Sequence, residues 1–76
     1  MAKQRLSHVR AGLGLTQAEL AELSGVSKQT IVDAEKRRSI RLITAYAILN
    51  ALNSELSQRG QPGLQVDSLD WNVIGD

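Results

Sequence analysis

The chain has 76 residues, a net charge of +1, no cysteine and one histidine. A chain this short forms one small domain, which excludes most enzymes with a separate cofactor-binding domain, and the lack of cysteine excludes disulfides and thiolate metal sites. We therefore expect no cofactor and no metal, and we expect helix packing and self-association to supply the stability.

The charge is unevenly distributed along the chain. Residues 1–41 hold eight basic and four acidic side chains, a charge of +4, whereas residues 42–76 hold one basic and four acidic side chains, a charge of −3. A basic N-terminal part favours an anionic partner such as nucleic acid.

Two helices are predicted in the first third of the chain. Apolar residues at three- and four-residue spacing predict a first helix over about residues 3–12, which Gly12 and Gly14 can end. Thr16 and Glu19 fit a capping box, in which each side chain bonds to the other residue's backbone amide. The capping box predicts a second helix that runs to about residue 24.

Two further helices follow. Ser27 is a good N-cap for a helix over about residues 28–36, and Gly25 can supply the positive φ of the short turn before it. A clean apolar stripe predicts a fourth helix over about residues 42–58. The segment 59–63 then breaks the chain.

The last segment, residues 64–76, is apolar and acidic, and its pattern fits two structures. Alternating apolar residues indicate an extended arm, whereas Val66, Leu69 and Val73 also share one helical face, with Asp67 as the N-cap. The sequence is therefore divided into a domain over residues 1–58 and a loop and tail over residues 59–76. The tail either folds back on the fourth helix or contacts a second subunit or another protein. The residues expected to make these contacts are Leu64, Val66, Leu69 and Trp71.

Two short helices joined by a three-residue turn with glycine are the pattern of a helix-turn-helix. The sequence LGLTQAELA over residues 13–21, the Gly25-Val26-Ser27 turn, Thr30-Ile31 and Glu35 closely resemble the phage repressor and Cro-like helix-turn-helix family, the XRE family. The resemblance covers about residues 3–53. It implies an all-α, compact, lambda-repressor-like domain of four or five helices whose partner is double-stranded DNA.

By this resemblance the third helix is the recognition helix, whose outward side chains meet base edges in the major groove. Lys28 can donate to guanine, and Gln29 can pair with adenine. Val32 can touch a thymine methyl group. Asp33 can accept from cytosine or repel phosphate and so tune selectivity.

Phosphate contacts are expected around the recognition helix. The resemblance gives Gln17, at the start of the second helix, a bond to a phosphate, and a helix N-terminus attracts such an anion. The basic loop after the third helix is expected to contact phosphates without regard to sequence. The full expected set is Gln17, Ser27, Thr30, Lys36, Arg37, Arg38 and Arg41.

Arg10 and Glu35 occupy positions where the resembling family carries an arginine–carboxylate pair between the first and third helices. We expect a partly buried ion pair that fixes the recognition helix and does not contact DNA. The sequence departs from the family pattern at Arg37, where a glycine is usual, and at Ser39-Ile40-Arg41, where a proline often precedes the fourth helix.

These features predict a sequence-specific DNA-binding transcriptional regulator, a repressor that binds a palindromic operator as a homodimer. Two recognition helices would then lie about 34 Å apart, one turn of duplex. The alternative is an antitoxin that binds a partner toxin through its tail, with or without operator binding. No residue pattern supports an enzyme, and with no apolar run long enough for a membrane span and no signal peptide, a cytoplasmic location is expected.

Overall fold

A computed structural model describes residues 3–75, which form four α-helices and two pairs of short parallel strands. In chain order the elements are β1 Gln4–Arg5, α1 Leu6–Gly12, α2 Gln17–Ser24, α3 Lys28–Glu35, β2 Ser39–Arg41, α4 Leu42–Gln58, a 3-10 turn Val66–Ser68, β3 Leu69–Asp70 and β4 Asn72–Ile74. None of the helices within residues 3–75 has the length and apolar character needed to cross a membrane.

The core is aliphatic and lies where α1, α2, α3 and α4 meet. The predicted apolar stripe of α4 faces it, with Leu42 half-buried and the other members buried: Ala45, Ile48, Leu49, Leu52 and Leu56. Ala21 and Ala34 are also buried, and such small side chains allow α2 and α3 to approach closely. The largest fully buried side chains are Leu6, Leu20, Ile31, Ile48, Leu52 and Leu69.

The predicted caps set the geometry of α2 and α3. The Glu19 amide donates to Thr16 Oγ1 at 3.0 Å, and the Thr16 amide donates to Glu19 Oε1 at 2.8 Å, so the capping box is confirmed. Ser27 caps α3 by accepting from the Thr30 amide at 3.1 Å. Gly25 has a φ of 75°, a left-handed conformation that suits glycine and turns the chain sharply from α2 to α3.

The all-α prediction is correct for the helices but wrong about the extended segments. β1 pairs in parallel with β3, and β2 pairs in parallel with β4. The start of α1 at Leu6, later than predicted, has the same cause, because Gln4–Arg5 pairs with Leu69–Asp70. β1 and β2 are two and three residues long and pair with distant parts of the chain, so local periodicity carried no sign of them, whereas the alternation in the tail indicated the extended arm that contains β3 and β4.

The tail folds back on its own chain. Asn53, on α4, holds its start through two hydrogen bonds, donating to the Leu64 carbonyl at 3.0 Å and accepting from the Leu64 amide at 2.7 Å. Trp71 Nε1 donates to the Val66 carbonyl at 2.8 Å. The tail is one 3-10 turn followed by strands, and the turn is capped by Gln65, which corrects the predicted cap at Asp67.

Candidate nucleic-acid interface

The α3 helix has one side in the core and one side in solvent. Ile31 and Ala34 are fully buried, which fixes how the helix sits against the rest of the domain. The side chains predicted to read bases occupy the opposite side, where Lys28 and Gln29 are exposed and Val32 and Asp33 are half-exposed. α3 therefore presents a largely polar surface on a helix whose opposite side is packed in the core.

Asp33 connects two other side chains of this surface. Its Oδ1 atom accepts a hydrogen bond from Gln29 Nε2 at 3.0 Å and another from Arg38 Nη1 at 3.0 Å. The Gln29 hydrogen bond is the largest cause that lowers the pKa of Asp33 from its ordinary value, and Arg38 and Lys36 lower it further. The structure thus brings Gln29, Asp33 and Arg38 together as one cluster.

Glu35, at the end of α3, is the centre of a second cluster. It accepts from Arg10 Nε at 2.6 Å and from Gln17 Nε2 at 2.9 Å. Arg10 also donates to the Leu15 carbonyl at 2.8 Å. The Arg10 and Glu35 side chains are 17% and 9% exposed, so the pair is partly buried, as the resemblance implied. These bonds link α1, the loop after it, α2 and α3.

Gln17 belongs to the same cluster. The residue lies at the first position of α2, where a phosphate contact was predicted, but its amide nitrogen is directed to Glu35. Ser27 and Thr30, two other predicted phosphate contacts, bond to each other through their hydroxyl oxygens at 2.8 Å. Ser27 is exposed and Thr30 is half-buried.

The basic side chains of the loop after α3 are exposed, and α3 ends with a residue in the left-handed backbone conformation. Arg37 has a φ of 62°, the only positive value at a non-glycine residue in the described part of the chain. The Arg38 amide donates to the Asp33 carbonyl at 2.9 Å, and the Arg37 amide donates to the Ala34 carbonyl at 3.1 Å. This is the bonding pattern of a Schellman motif, in which glycine normally takes the position of Arg37.

The four basic residues of this loop differ in their partners. Arg38 lies 3.0 Å from Asp33, and Arg37 Nη2 lies 2.9 Å from Asp70 Oδ2 in the tail. Lys36 and Arg41, like the two arginines, are exposed. Arg37 is therefore directed toward the tail, whereas Arg38 belongs to the cluster on α3.

The apolar residues predicted to contact a partner divide into two groups. Leu69 is 0% exposed and belongs to the core of its own chain, so it has no surface to offer a partner. Leu64, Val66 and Trp71 are half-buried against that core. Leu64 and Val66 line a groove beside α4, together with Tyr46.

Sequence reasoning did not identify the four large apolar side chains that are exposed within residues 3–75. Leu23, Ile43, Tyr46 and Ile74 are 52%, 70%, 48% and 48% exposed. Ile43 and Tyr46 lie three residues apart on α4, outside the apolar stripe that faces the core. For these two, the position of an apolar residue outside the stripe was the available signal.

Comparisons with known proteins agree with this geometry. A family model described as "Helix-turn-helix" matches residues 6–58. A protein of Methanothermobacter thermautotrophicus described as an "Uncharacterized HTH-type transcriptional regulator" is 55% identical over 47 residues, which cover 60% of this chain and 68% of that protein. No solved structure gives a significant match.

Proposed function

Because the chain belongs to the XRE-type helix-turn-helix family of DNA-binding proteins, a non-enzymatic family of transcriptional regulators, we propose that it is a repressor that binds a palindromic operator as a homodimer. Regulation of transcription through DNA follows from the family. Repression, the symmetry of the site, the dimer and the contacting residues are the proposal.

The observation that carries the proposal is the exposed polar side of α3 beside an exposed basic loop. Lys28 and Gln29 are exposed and Val32 is half-exposed, and we propose that they meet base edges, where such side chains read guanine, adenine and the thymine methyl group. Phosphate contacts by the loop and by the starts of α2 and α3 would hold the register of the helix on the duplex. The proposed phosphate contacts are Gln17, Ser27, Thr30, Lys36, Arg37, Arg38 and Arg41.

Selection of binding sites from random duplex DNA, with the full chain, tests this function. We expect a palindromic consensus, and we expect Gln29→Ala to abolish the preference at one base pair of each half-site. Lys36→Gln should weaken binding to all sequences alike and reduce the slope of log K against log salt by about 0.9, one lost phosphate contact. The matched control is Lys3→Gln, which removes the same charge outside the proposed surface. The proposal is contradicted if the selection yields no consensus sequence.

The homodimer is proposed to form on the exposed apolar residues of α4 and the tail. Three apolar side chains are exposed there, namely Ile43, Tyr46 and Ile74. Tyr46 also lines the groove formed by Leu64 and Val66. None of them lies on α3, so a second copy bound there leaves the polar side of α3 free for DNA. A small domain without disulfides gains stability from such additional apolar burial.

Sedimentation equilibrium of the full chain tests the dimer. Tyr46→Glu, which places a charge on the apolar patch, should shift the chain from dimer to monomer with an unchanged far-ultraviolet circular dichroism spectrum. Leu23→Glu is the matched control, because Leu23 is 52% exposed but lies on α2. If Tyr46→Glu leaves the dimer intact, the interface lies elsewhere, and if the wild-type chain is a monomer on its operator, the homodimer is wrong.

The antitoxin alternative is not favoured. Its motivation was an apolar tail without a partner, but Leu69 is fully buried and β3 and β4 are paired within the chain. Packing against its own domain therefore accounts for Leu69 and for part of the apolar surface of Leu64, Val66 and Trp71.

A further inference from the structure

The exposed side of α3 carries one carboxylate, Asp33, and one of its oxygen atoms already has two donors. Asp33 Oδ1 accepts from Gln29 Nε2 and from Arg38 Nη1, both at 3.0 Å. Gln29 lies four residues earlier on the same helix, and Arg38 lies in the loop that follows. A side chain suited to reading a base is thus bonded to a carboxylate that an arginine holds in place.

This contact decides which end of the Gln29 amide faces outward. An ionised carboxylate accepts hydrogen bonds and cannot donate them, so Gln29 must turn its NH2 group, and not its carbonyl oxygen, toward Asp33. An ordinary aspartate carboxyl is already ionised at neutral pH, and the same bond lowers the pKa of Asp33 further. Oε1 and the second N–H of Gln29 remain for a ligand.

That remaining pattern of one acceptor and one donor distinguishes the two purines. In the major groove adenine offers the N7 acceptor and the N6 donor, so it can bond to both atoms of the amide. Guanine offers two acceptors, N7 and O6, and one of them would face Gln29 Oε1. Turning the amide over to suit guanine would bring Oε1 against the Asp33 carboxylate.

We propose that Asp33 is a positioning residue that restricts Gln29 to adenine and does not itself bind a base. The inference rests on the proposed function, since it requires α3 to enter the major groove. Arg38 assists by keeping the carboxylate beside Gln29, and its positive charge offsets a negative charge that would otherwise face the DNA phosphates.

The test measures the ratio of dissociation constants for guanine and adenine at the base pair that Gln29→Ala identifies in site selection, at one fixed salt concentration. We expect the wild-type chain to prefer adenine there and Asp33→Ala to reduce this ratio by roughly fivefold or more, the lower range for a bidentate base contact. Asp33→Glu, which keeps an acceptor, should restore much of the preference. The ratio separates this effect from the loss of a negative charge, which raises affinity for every sequence.

Asp67→Ala is the matched control, because it removes an exposed carboxylate of the tail and should leave the ratio unchanged. The inference is overturned if Asp33→Ala leaves the ratio unchanged, if the wild-type chain prefers guanine at this base pair, or if Asp33→Ala instead alters the preference at a different base pair, as a direct bond to cytosine would require. A wild-type chain that selects no sequence contradicts the proposed function itself, which distinguishes the two failures.

Discussion

At the scale of single residues, Arg37 shows how a helix ending can keep its shape without its usual amino acid. Its φ of 62° lies in the region that an L residue occupies at a cost of about 1–2 kcal/mol. The Schellman hydrogen bonds and the ion pair with Asp70 hold the residue there. That ion pair is more than a third exposed on both sides, so it contributes at most about 1 kcal/mol.

We therefore expect Arg37→Gly to raise the free energy of unfolding, by up to about 1 kcal/mol. The free energy gained by relieving the backbone strain is larger than the free energy lost with an exposed ion pair. Urea denaturation at neutral pH measures the change. Asp70→Asn, which removes the ion pair but leaves the backbone strain, should lower the same quantity by less than about 1 kcal/mol. A less stable glycine variant would show that the ion pair outweighs the strain.

At the scale of elements, α3 is held in two ways. Its buried side packs in the core, and Glu35 at its C-terminal end bonds to Arg10 on α1 and Gln17 on α2. Removal of one member of a buried ion pair leaves the other charge without compensation, at a cost of about 3–5 kcal/mol. The position of α3 thus depends on polar bonds as well as on apolar packing.

Glu35→Ala should lower the free energy of unfolding by about 3 kcal/mol, because Arg10 would be left partly buried without a carboxylate. Chemical denaturation gives the value. Glu22→Ala, on the exposed side of α2, is the control and should change stability by less than about 0.5 kcal/mol. The double variant, with Arg10→Ala and Glu35→Ala, should lose less unfolding free energy than the sum of the losses in the two single variants. Additive costs would argue against a direct interaction.

The Asp33 cluster adds a dependence on pH to α3. The pKa of Asp33 is lowered in the folded chain, so the folded state favours the ionised carboxylate. Its contribution to stability is therefore complete above the ordinary aspartate pKa of about 3.9 and is lost as the pH falls through the lower, folded value. The hydrogen bonds from Gln29 and Arg38 weaken over the same range.

The difference in unfolding free energy between wild type and Asp33→Asn should accordingly be constant from pH 7 to about pH 5 and shrink below about pH 4. The comparison isolates Asp33, since all other carboxylates titrate in both chains. A difference that grows on acidification would contradict the lowered pKa.

At the scale of the whole molecule, the tail completes the domain. Leu69 is fully buried, and its neighbours form the two parallel strand pairs that join the tail to the segments before α1 and α4. A domain of this length has little apolar surface to bury, so one further leucine is a substantial part of its stability. The segment after α4 shares the core of the helices.

Leu69→Ala should lower the free energy of unfolding by about 2–5 kcal/mol, the usual cost of truncating a buried leucine. Leu23→Ala makes the same chemical change at a half-exposed position and should cost less than about 1 kcal/mol. Thermal and chemical denaturation of the three chains test this. Equal costs at the two positions would mean that the tail is not docked in solution.

The sequence by itself determined the four helices, the N-caps of α2 and α3 and the apolar stripe of α4. These features depend on neighbours within about one turn of helix, and Thr16 with Glu19, Ser27 and the α4 stripe were all readable from spacing. The Arg10–Glu35 pair was accessible only through resemblance, because its members lie 25 residues apart. The family pattern places a glycine where Arg37 stands, and Arg37 has the left-handed backbone conformation that glycine favours.

Tertiary structure alone decided the place of the tail and the partners on the exposed side of α3. The tail pattern fitted both a helix and an extended arm, and the choice was made by backbone hydrogen bonds to segments more than 30 residues away. The bond from Gln29 to Asp33 has helical spacing, but the position of Arg38 beside them depends on how the loop leaves α3. Local propensity acts over a few residues, whereas these contacts exist only after the chain has folded.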